Sequence, residues 1–217
     1  MTEALLLLPG MTANRRKRAY LVDFFRTHTP YAVYLPALPE RRGLDACANA
    51  LRSFLRRTVD AAGHDRVHVL AYIAGGATLR TASAGQTFPY RGRVVWVRSP
   101  IQELVPARLV ARWGRMLVWL AAGRLALDLA ATDSSRLPEL HCLGEQAVVL
   151  ERGVSRLARR LGLAAGDFEA LRAAGDFLPP GGAAMWLAEE SHDEVYTSAP
   201  LLQRIAGVLA DGSFAAP

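Results

Sequence analysis

The first hundred residues alternate short apolar runs with amphipathic segments, and few folds other than a parallel sheet covered by helices accommodate that order. Residues 15–28 and 44–62 repeat their apolar positions at helical spacing. The runs between and around them are rich in strand-forming residues and end in proline, glycine or small residues. Alternating strands and helices with short connections predict an α/β fold with a mostly parallel central sheet flanked by helices. The strand candidates are "ALLLLPGM" (4–11), "YAVYLPALP" (31–39), "RVHVLAYIA" (66–74) and "GRVVWV" (92–97).

The pattern changes after Ser99-Pro100. The apolar positions of residues 105–131 and 144–174 recur at helical spacing, and glycines interrupt the second stretch. No clear strand signal lies between the two stretches. We therefore expect a helical lid-like region over about 105–180, then a last strand at 182–190 and a closing amphipathic helix. Because no repeat or linker divides the chain, we expect a single domain over 1–217.

The charge balance does not indicate a nucleic-acid partner. The formal net charge is +6, but 25 of the 26 basic residues are arginines spread over many segments. The one cluster, residues 15–18, is predicted to be a solvated helix start rather than an anion-binding patch. The most apolar later stretch is interrupted by Arg124 and Asp128 on one helical face, so we expect no stable membrane insertion.

Two features of the sequence predict a cytoplasmic protein. Cys47 and Cys142 have no metal-type or redox-type partner nearby, which argues against a disulfide framework and for a reducing compartment. The N-terminal "MTEALLLLPG" has no basic region and too short an apolar run for a signal peptide. His64 and His68 bracket the start of a strand instead of sharing a helix face, so we expect no metal site. The glycines of "AGGATLR" and "PGMTAN" match neither a phosphate-binding loop nor a G-x-G-x-x-G motif, so we expect no cofactor.

Three segments together carry a resemblance to a known family. They are "LLPGM" at the end of the first strand, "VHVLAYIAGG" two strands later, and "AEESHDEVYTSAPLLQRIAGVLADGSF" at the C-terminus. In this order the chain resembles an α/β-hydrolase of the esterase or lipase-like kind, whose nucleophile stands on a sharp strand-to-helix elbow, G-x-S-x-G. The resemblance implies that Met11 and Thr12, together with Ala74, supply oxyanion-type backbone donors. It also implies that His192 is the general base.

The nucleophile position departs from the family pattern. The five elbow slots hold Ala71, Tyr72, Ile73, Ala74 and Gly75, so an isoleucine stands where the serine belongs. An isoleucine side chain cannot attack a carbonyl, and losing a triad nucleophile costs on the order of 10⁶ in kcat. The small flanking residues fit either a degenerate, strained elbow or a relaxed turn with Ile73 packed into the core.

The acid slot is not settled by the sequence. Glu103, after the fourth strand, is one possible acid, and Asp128 and Asp133 are weaker ones. Asp193 or Glu194 could orient His192 from its own loop. Alternatively, Asp193 itself is the family acid, and the strand that carries the histidine is missing.

We therefore expect an α/β-hydrolase-like protein without serine chemistry. A pocket near Met11, Tyr72, Ile73 and His192 would suit an apolar or acyl-like small molecule. The protein would be non-catalytic or would use His192 as an acid/base in an isomerisation or cyclisation.

Two other functions stay open. An active esterase or thioesterase could use a displaced nucleophile, for which the candidates are Thr78, Ser83, Ser99 and Cys142. An interaction protein with no small-molecule ligand could hold an acidic partner through the basic segments 15–18 and 108–115. Protein partners and oligomeric state are left open.

Overall fold

A computed structural model describes residues 2–11, 13–132, 137–178 and 183–212. Over these residues six parallel strands form one sheet in the order β2-β1-β3-β4-β5-β6, which confirms the predicted α/β class. The strands are β1 (Glu3–Leu8), β2 (Ala32–Tyr34), β3 (Arg66–Tyr72), β4 (Val94–Arg98), β5 (Gln146–Gly153) and β6 (Ala184–Ser191).

Helices cover both faces of this sheet, as the alternation of apolar runs and amphipathic segments requires. A short 3₁₀ turn (Glu40–Arg42) precedes α2, and a π-helical turn (Leu55–Val59) continues it into α3. The helices are α1 (Arg15–His28), α2 (Leu44–Phe54), α3 (Asp60–Ala62), α4 (Ile73–Ala82), α5 (Pro100–Glu103), α6 (Val105–Ala122), α7 (Arg124–Ala131), α8 (Arg156–Arg160), α9 (Phe168–Ala174) and α10 (Ala199–Asp211).

The two faces of the sheet carry two separate cores, because successive side chains of a strand point to opposite sides. Leu5 and Leu7 of β1 pack with Tyr72 against α1 and α10; we call this the α1/α10 face. Leu6 and Leu8 pack with Trp96 against α2, α4 and the helices that follow β4; we call this the α4 face. Residues that are neighbours in sequence at a strand end can therefore belong to different cores.

The strand order reverses between β1 and β3. The chain moves from β1 to β2 at one edge and then returns across β1 to build the other four strands. In open parallel sheets such a reversal leaves a crevice at the carboxyl ends of the strands, where ligands bind. The turn after β1, the start of α4 and the turn after β6 all lie at this end of the sheet.

The predicted helix over 144–174 is wrong in its first part. Gln146–Gly153 is β5, a central strand that pairs with β4 and β6, and α8 and α9 begin only after it. The region 105–180 is therefore not helical throughout. A short apolar run that is buried on both sides of a sheet carries no alternation, and periodicity alone does not separate it from a buried helix.

The predicted helix over 105–131 is divided by two glycines. Gly114 has a φ of 78° and a ψ of 156° inside α6, and Gly123 has a φ of 79° between α6 and α7. Arg124 and Asp128 form the expected pair one helical turn apart, with 3.5 Å between Nε and Oδ1. No helix in the described part of the chain is long and apolar enough to cross a membrane.

Candidate functional site

The turn from β3 to α4 keeps the tight packing expected of the elbow. A Cβ added at Gly75 would lie 2.0 Å from the carbonyl oxygen of Leu8, the last residue of β1. One added at Gly76 would lie 3.2 Å from the Trp96 ring. The small residues are therefore required because the first turn of α4 packs directly on the backbone of a neighbouring strand.

The backbone at Ile73 is relaxed. Tyr72 caps α4 in an extended conformation, with φ −86° and ψ 166°, and Ile73 is the first helical residue. No residue other than glycine has a positive φ in the described ranges, so Ile73 carries no left-handed strain. Of the two alternatives open from the sequence, this geometry matches the relaxed strand-to-helix turn.

A cavity of about 430 Å³ opens beside this turn on the α4 face. Tyr72 and Ile73 line it, as predicted for the pocket, whereas Met11 and His192 are not among its lining residues. We call it the Ile73 cavity. Its apolar walls include Ile73, Ala77, Trp96, Leu104, Leu140 and Phe177.

Two arginines bring polar groups to the Ile73 cavity. Arg98 donates from Nε and Nη2 to the Glu103 carboxylate at 2.9 and 3.1 Å, and its guanidinium lies 4.5 Å from the centre of the Phe177 ring. Arg80 donates from Nε to the Pro138 carbonyl at 2.7 Å. Burial lowers the pKa of Arg80, with the charge of Arg98 as a further cause. The carboxyl groups of Glu103, Glu139 and Asp176 also line the cavity, which thus combines apolar walls with polar groups of both charges.

His192 lies in the turn after β6 and contacts a carboxylate that the sequence did not reveal. Its Nδ1 is 3.1 Å from both carboxylate oxygens of Glu151, the sixth residue of β5. Glu151 is fully buried and His192 is 3 % exposed. A Glu–His pair at the carboxyl ends of adjacent strands is the arrangement that orients a general base.

An irregularity in the β5–β6 pairing positions this pair. Glu151 is opposite Ala188 and Gly153 is opposite Ser191, so β6 holds one extra residue just before His192. A Cβ added at Gly153 would lie 2.5 Å from the backbone nitrogen of Ser191, so only glycine allows the strands to approach this closely. The close approach brings the His192 turn over the end of β5.

The other ring nitrogen of His192 is also engaged. Nε2 lies 3.2 Å from the hydroxyl of Tyr196, and the Gly10 backbone N–H donates to the same hydroxyl at 3.2 Å. Tyr196 is fully buried, and its ring stacks on Tyr72 with 4.4 Å between centroids. We call Glu151, His192, Tyr196 and Gly10 the His192 network. The phenol hydroxyl occupies the position that a nucleophile would need at Nε2.

One protonation pattern satisfies every member of the His192 network. With the proton on Nδ1, the imidazole donates to Glu151, and Nε2 accepts from the Tyr196 hydroxyl, which in turn accepts from Gly10. Burial raises the pKa of Glu151, and the contact with His192 opposes that rise. Burial also raises the pKa of Tyr72, whose hydroxyl donates to the Val195 carbonyl at 3.3 Å.

The acids proposed from the sequence serve other contacts. Glu103 pairs with Arg98 in the Ile73 cavity, and Asp193 accepts from the backbone N–H of Arg156 at 2.8 Å. Glu194 accepts from the backbone and hydroxyl of Ser191 at 2.9 and 2.7 Å, which lowers the pKa of Glu194 and closes the turn. The prediction that Asp193 or Glu194 orients the imidazole is therefore corrected in favour of Glu151.

The remaining acids also lie elsewhere. Asp128 accepts from the backbone N–H of Leu44 at 2.8 Å. Asp133 lies outside the described residues.

The three residues predicted to supply oxyanion-type donors do not form one site among the described residues. Ala74 is the second residue of α4, where helical N–H groups have no acceptor within the helix. Thr12 lies outside the described residues, and Met11 is half-buried against the core of the α4 face. The donor that faces His192 is the N–H of Gly10, which Tyr196 already occupies.

The displaced-nucleophile candidates sit in structural positions. The Thr78 hydroxyl donates to the Ala74 carbonyl at 2.9 Å, and Ser99 caps α5 through a bond from Gln102 at 3.1 Å. Ser83 is buried at the end of α4. Burial raises the pKa of the Cys142 thiol, which disfavours the thiolate. Among the described contacts of His192, none is with these four side chains.

Sequence reasoning missed both partners of His192. Glu151 stays hidden when β5 is taken for a helix, because an acid after a strand cannot be sought where no strand is recognised. Tyr196 lies in a polar turn, although its spacing of four residues from His192 is a signal that it could contact the ring. Within the described ranges no group of three or more His, Cys, Asp or Glu side chains could hold a metal ion.

Comparison of the sequence with protein-family models and with curated proteins gave no match. Solved structures do superpose on it. MGS-MChE2, an α/β-hydrolase enzyme from the metagenome of lagoon sediments at Mar Chica, Morocco, gives a TM-score of 0.57 at 18% identity, covering 95% of this chain and 90% of that one. An esterase from Pyrococcus furiosus gives 0.59 at 9% identity, covering 98% and 83%.

A third similar structure is a different kind of enzyme. The bottromycin epimerase BotH, solved in complex with bottromycin A2, gives a TM-score of 0.54 at 18% identity, covering 96% of this chain and 91% of that one. Together these likenesses confirm that the chain has the α/β-hydrolase fold.

Proposed function

We propose that this chain is a non-hydrolytic protein of the α/β-hydrolase fold that binds an apolar or acyl-like small molecule in the Ile73 cavity. The observation that carries the proposal is the contrast between an open cavity at Ile73 and a closed network at His192. Ile73 lines a space of about 430 Å³, within the range of small-molecule sites. His192 is buried with both ring nitrogens engaged.

Two facts about this edge of the sheet support the proposed loss of serine chemistry. Ile73 offers neither a lone pair nor a proton, and its backbone begins a regular helix. A substrate would also need access to Nε2 of His192, where the Tyr196 hydroxyl lies. We therefore propose that the His192 network acts in stability and not as an acid/base.

The chemistry of the cavity indicates the kind of ligand. Its walls suit a hydrocarbon chain or an aromatic ring. Arg80 and Arg98 supply N–H donors, which suit an oxygen of an acyl group, while Glu103, Glu139 and Asp176 offset their positive charge. One of the similar structures is an epimerase, so the same fold also hosts a reaction other than hydrolysis.

Isothermal titration calorimetry with decanoate tests this proposal, because decanoate combines an acyl chain with a carboxylate. We expect saturable binding that Ile73→Trp weakens at least about tenfold, since the indole would fill the space. Leu143→Trp is the matched control, because Leu143 is 59 % exposed and is not a lining residue. We expect it to change the affinity less than about twofold.

Two results would contradict the proposal. The first is no saturable binding, and the second is an affinity that Ile73→Trp leaves unchanged. Met116→Glu separates binding in the cavity from binding on the outer surface of α6, where Met116 is 71 % exposed. Loss of binding with Met116→Glu but not with Ile73→Trp would place decanoate on that surface.

A further inference from the structure

The second half of α6 exposes an apolar face that no described element covers. After Gly114, Val118 points into the core and is 1 % exposed, whereas the large side chains around it face outward. Trp113, just before the kink, is 46 % exposed. Scattered exposed hydrophobics are ordinary, but a contiguous group on one helix marks an interaction surface. The group is Met116, Leu117, Trp119 and Leu120, at 71, 54, 49 and 52 % exposure.

The same helix is basic. Arg108, Arg112 and Arg115 are exposed along it, and the stretch 105–122 contains no acidic residue. Arg41, also exposed, donates to the Leu120 carbonyl at 3.3 Å and adds a guanidinium at the C-terminal end of the helix. We call the exposed apolar side chains and these arginines the α6 surface. It has an apolar centre with positive charge beside it.

We propose that the α6 surface binds the surface of an anionic lipid bilayer, with α6 lying in the plane of the headgroups. Tryptophan rings favour the headgroup level of a membrane, and leucine and methionine side chains reach the acyl boundary below it. Arginines near such a surface are attracted by anionic lipids. The chain does not need to cross the bilayer for this.

The charge of the α6 surface favours lipid over a second copy of the chain. In a twofold dimer the same surface of both copies would meet, and because its charged side chains are all arginines, the interface would hold positive charge without an acidic partner. An anionic bilayer instead offers opposite charge to Arg112 and Arg115 and an apolar layer to Met116 and Leu120. The inference is independent of what occupies the Ile73 cavity.

Sedimentation with lipid vesicles tests the proposal. We expect the protein to sediment with vesicles of phosphatidylcholine mixed with phosphatidylglycerol, to bind pure phosphatidylcholine more weakly, and to be partly released by raised salt. Arg112→Gln and Arg115→Gln should each reduce partitioning about fivefold. The combined variant Met116→Ser, Leu117→Ser and Leu120→Ser keeps the charge and should reduce it at least about 100-fold.

Matched controls come from exposed hydrophobics elsewhere on the chain. Leu143→Ser and Met185→Ser, at side chains 59 and 39 % exposed, should leave partitioning unchanged. Because the replaced α6 side chains are exposed, the combined variant is expected to fold, which circular dichroism and urea unfolding would verify.

Three outcomes would overturn the proposal. One is no preference for phosphatidylglycerol, and another is a combined variant that partitions like the wild type. The third is self-association in analytical ultracentrifugation that the combined variant abolishes while vesicles bind neither protein. That last result would assign the α6 surface to a second copy of the chain.

Discussion

The His192 network and the Ile73 cavity lie at the same end of one sheet, yet they are built in opposite ways. Around His192 each polar group has a buried partner, and the ring of Tyr196 fills the space next to Tyr72. Beside Ile73 the side chains leave open space with apolar walls. The two regions belong to different faces, since Tyr196 packs in the α1/α10 core and Trp96 in the α4 core.

Under the proposed function, this difference means that the framework of a hydrolase site persists without its chemistry. The strand order, the close packing at Gly75 and the Glu151–His192 pair are all present. Two positions differ from a serine-hydrolase site: the phenol of Tyr196 lies at Nε2 of His192, and an isoleucine begins α4 where the serine belongs. A framework built from buried hydrogen bonds is costly to dismantle, because each lost partner leaves a polar group unsatisfied.

The largest effect that distinguishes the two regions is expected from His192→Ala. It leaves Glu151 buried without its partner, and breaking a buried pair in this way costs about 3–5 kcal/mol of unfolding free energy. Urea unfolding at neutral pH measures that loss. Decanoate affinity at a temperature where the variant is folded should change less than about twofold.

His141→Ala is the control for this comparison, because His141 is exposed. We expect its stability to stay within about 0.5 kcal/mol of the wild type. A stable His192→Ala variant that no longer binds decanoate would show that His192 contributes to binding and not to stability, which contradicts the separation of the two regions.

A smaller difference is expected between two tyrosines of the same stacked pair. Tyr196→Phe removes the hydroxyl shared by His192 and Gly10 and should cost about 1–3 kcal/mol in urea unfolding. Tyr72→Phe removes only the 3.3 Å bond to Val195 and should cost about 0.5–1.5 kcal/mol. Equal losses of unfolding free energy would mean that the Tyr196 hydroxyl contributes no more to stability than the Tyr72 hydroxyl.

The smallest effect is a pH dependence at Glu151. Because burial raises its pKa in the folded state above the ordinary value of 4.5, the unfolded chain releases this proton first as pH rises. The carboxyl therefore stabilises the protein fully below pH 4.5, and that stability is lost as pH rises through the folded-state pKa. Glu151→Gln should gain stability relative to the wild type over this window.

Urea unfolding of both proteins from below pH 4.5 to neutral pH measures the gain. Glu189→Gln, at an exposed residue paired with Arg152, is the matched control. A difference between Glu151→Gln and the wild type that shrinks as pH rises would contradict the raised pKa.

The sequence was sufficient to locate the strands that end in recognisable turn residues. The Pro-Gly after β1 and the small residues after β3 located those elements and Ile73, and the final strand with its turn located His192. It was not sufficient for β5, because "AVVL" is short, apolar on both sides and followed by charged residues typical of helices. Without β5, the carboxylate of Glu151 had no place in the predicted site.

The position of the cavity could not be predicted from the sequence, for a different reason. Periodicity identifies which side of a helix is apolar, but not where along the sheet that helix packs. The cavity lies on the α4 face because α5, α7 and α9 contribute its cover, and residues from separate segments of the chain line it. The exposed side of α6 could not be foreseen either, since the same apolar spacing is typical of a buried helix.

The measurement that most directly tests the account is whether Ile73→Ser gains serine chemistry. Labelling by a fluorophosphonate and hydrolysis of a p-nitrophenyl ester are followed in Ile73→Ser and in the same variant with His192→Ala. We predict no labelling and no hydrolysis above the wild type, because the introduced serine would begin a regular helix while Tyr196 holds Nε2 of His192. Labelling and hydrolysis that appear in Ile73→Ser and vanish with His192→Ala would show a working elbow and contradict the account.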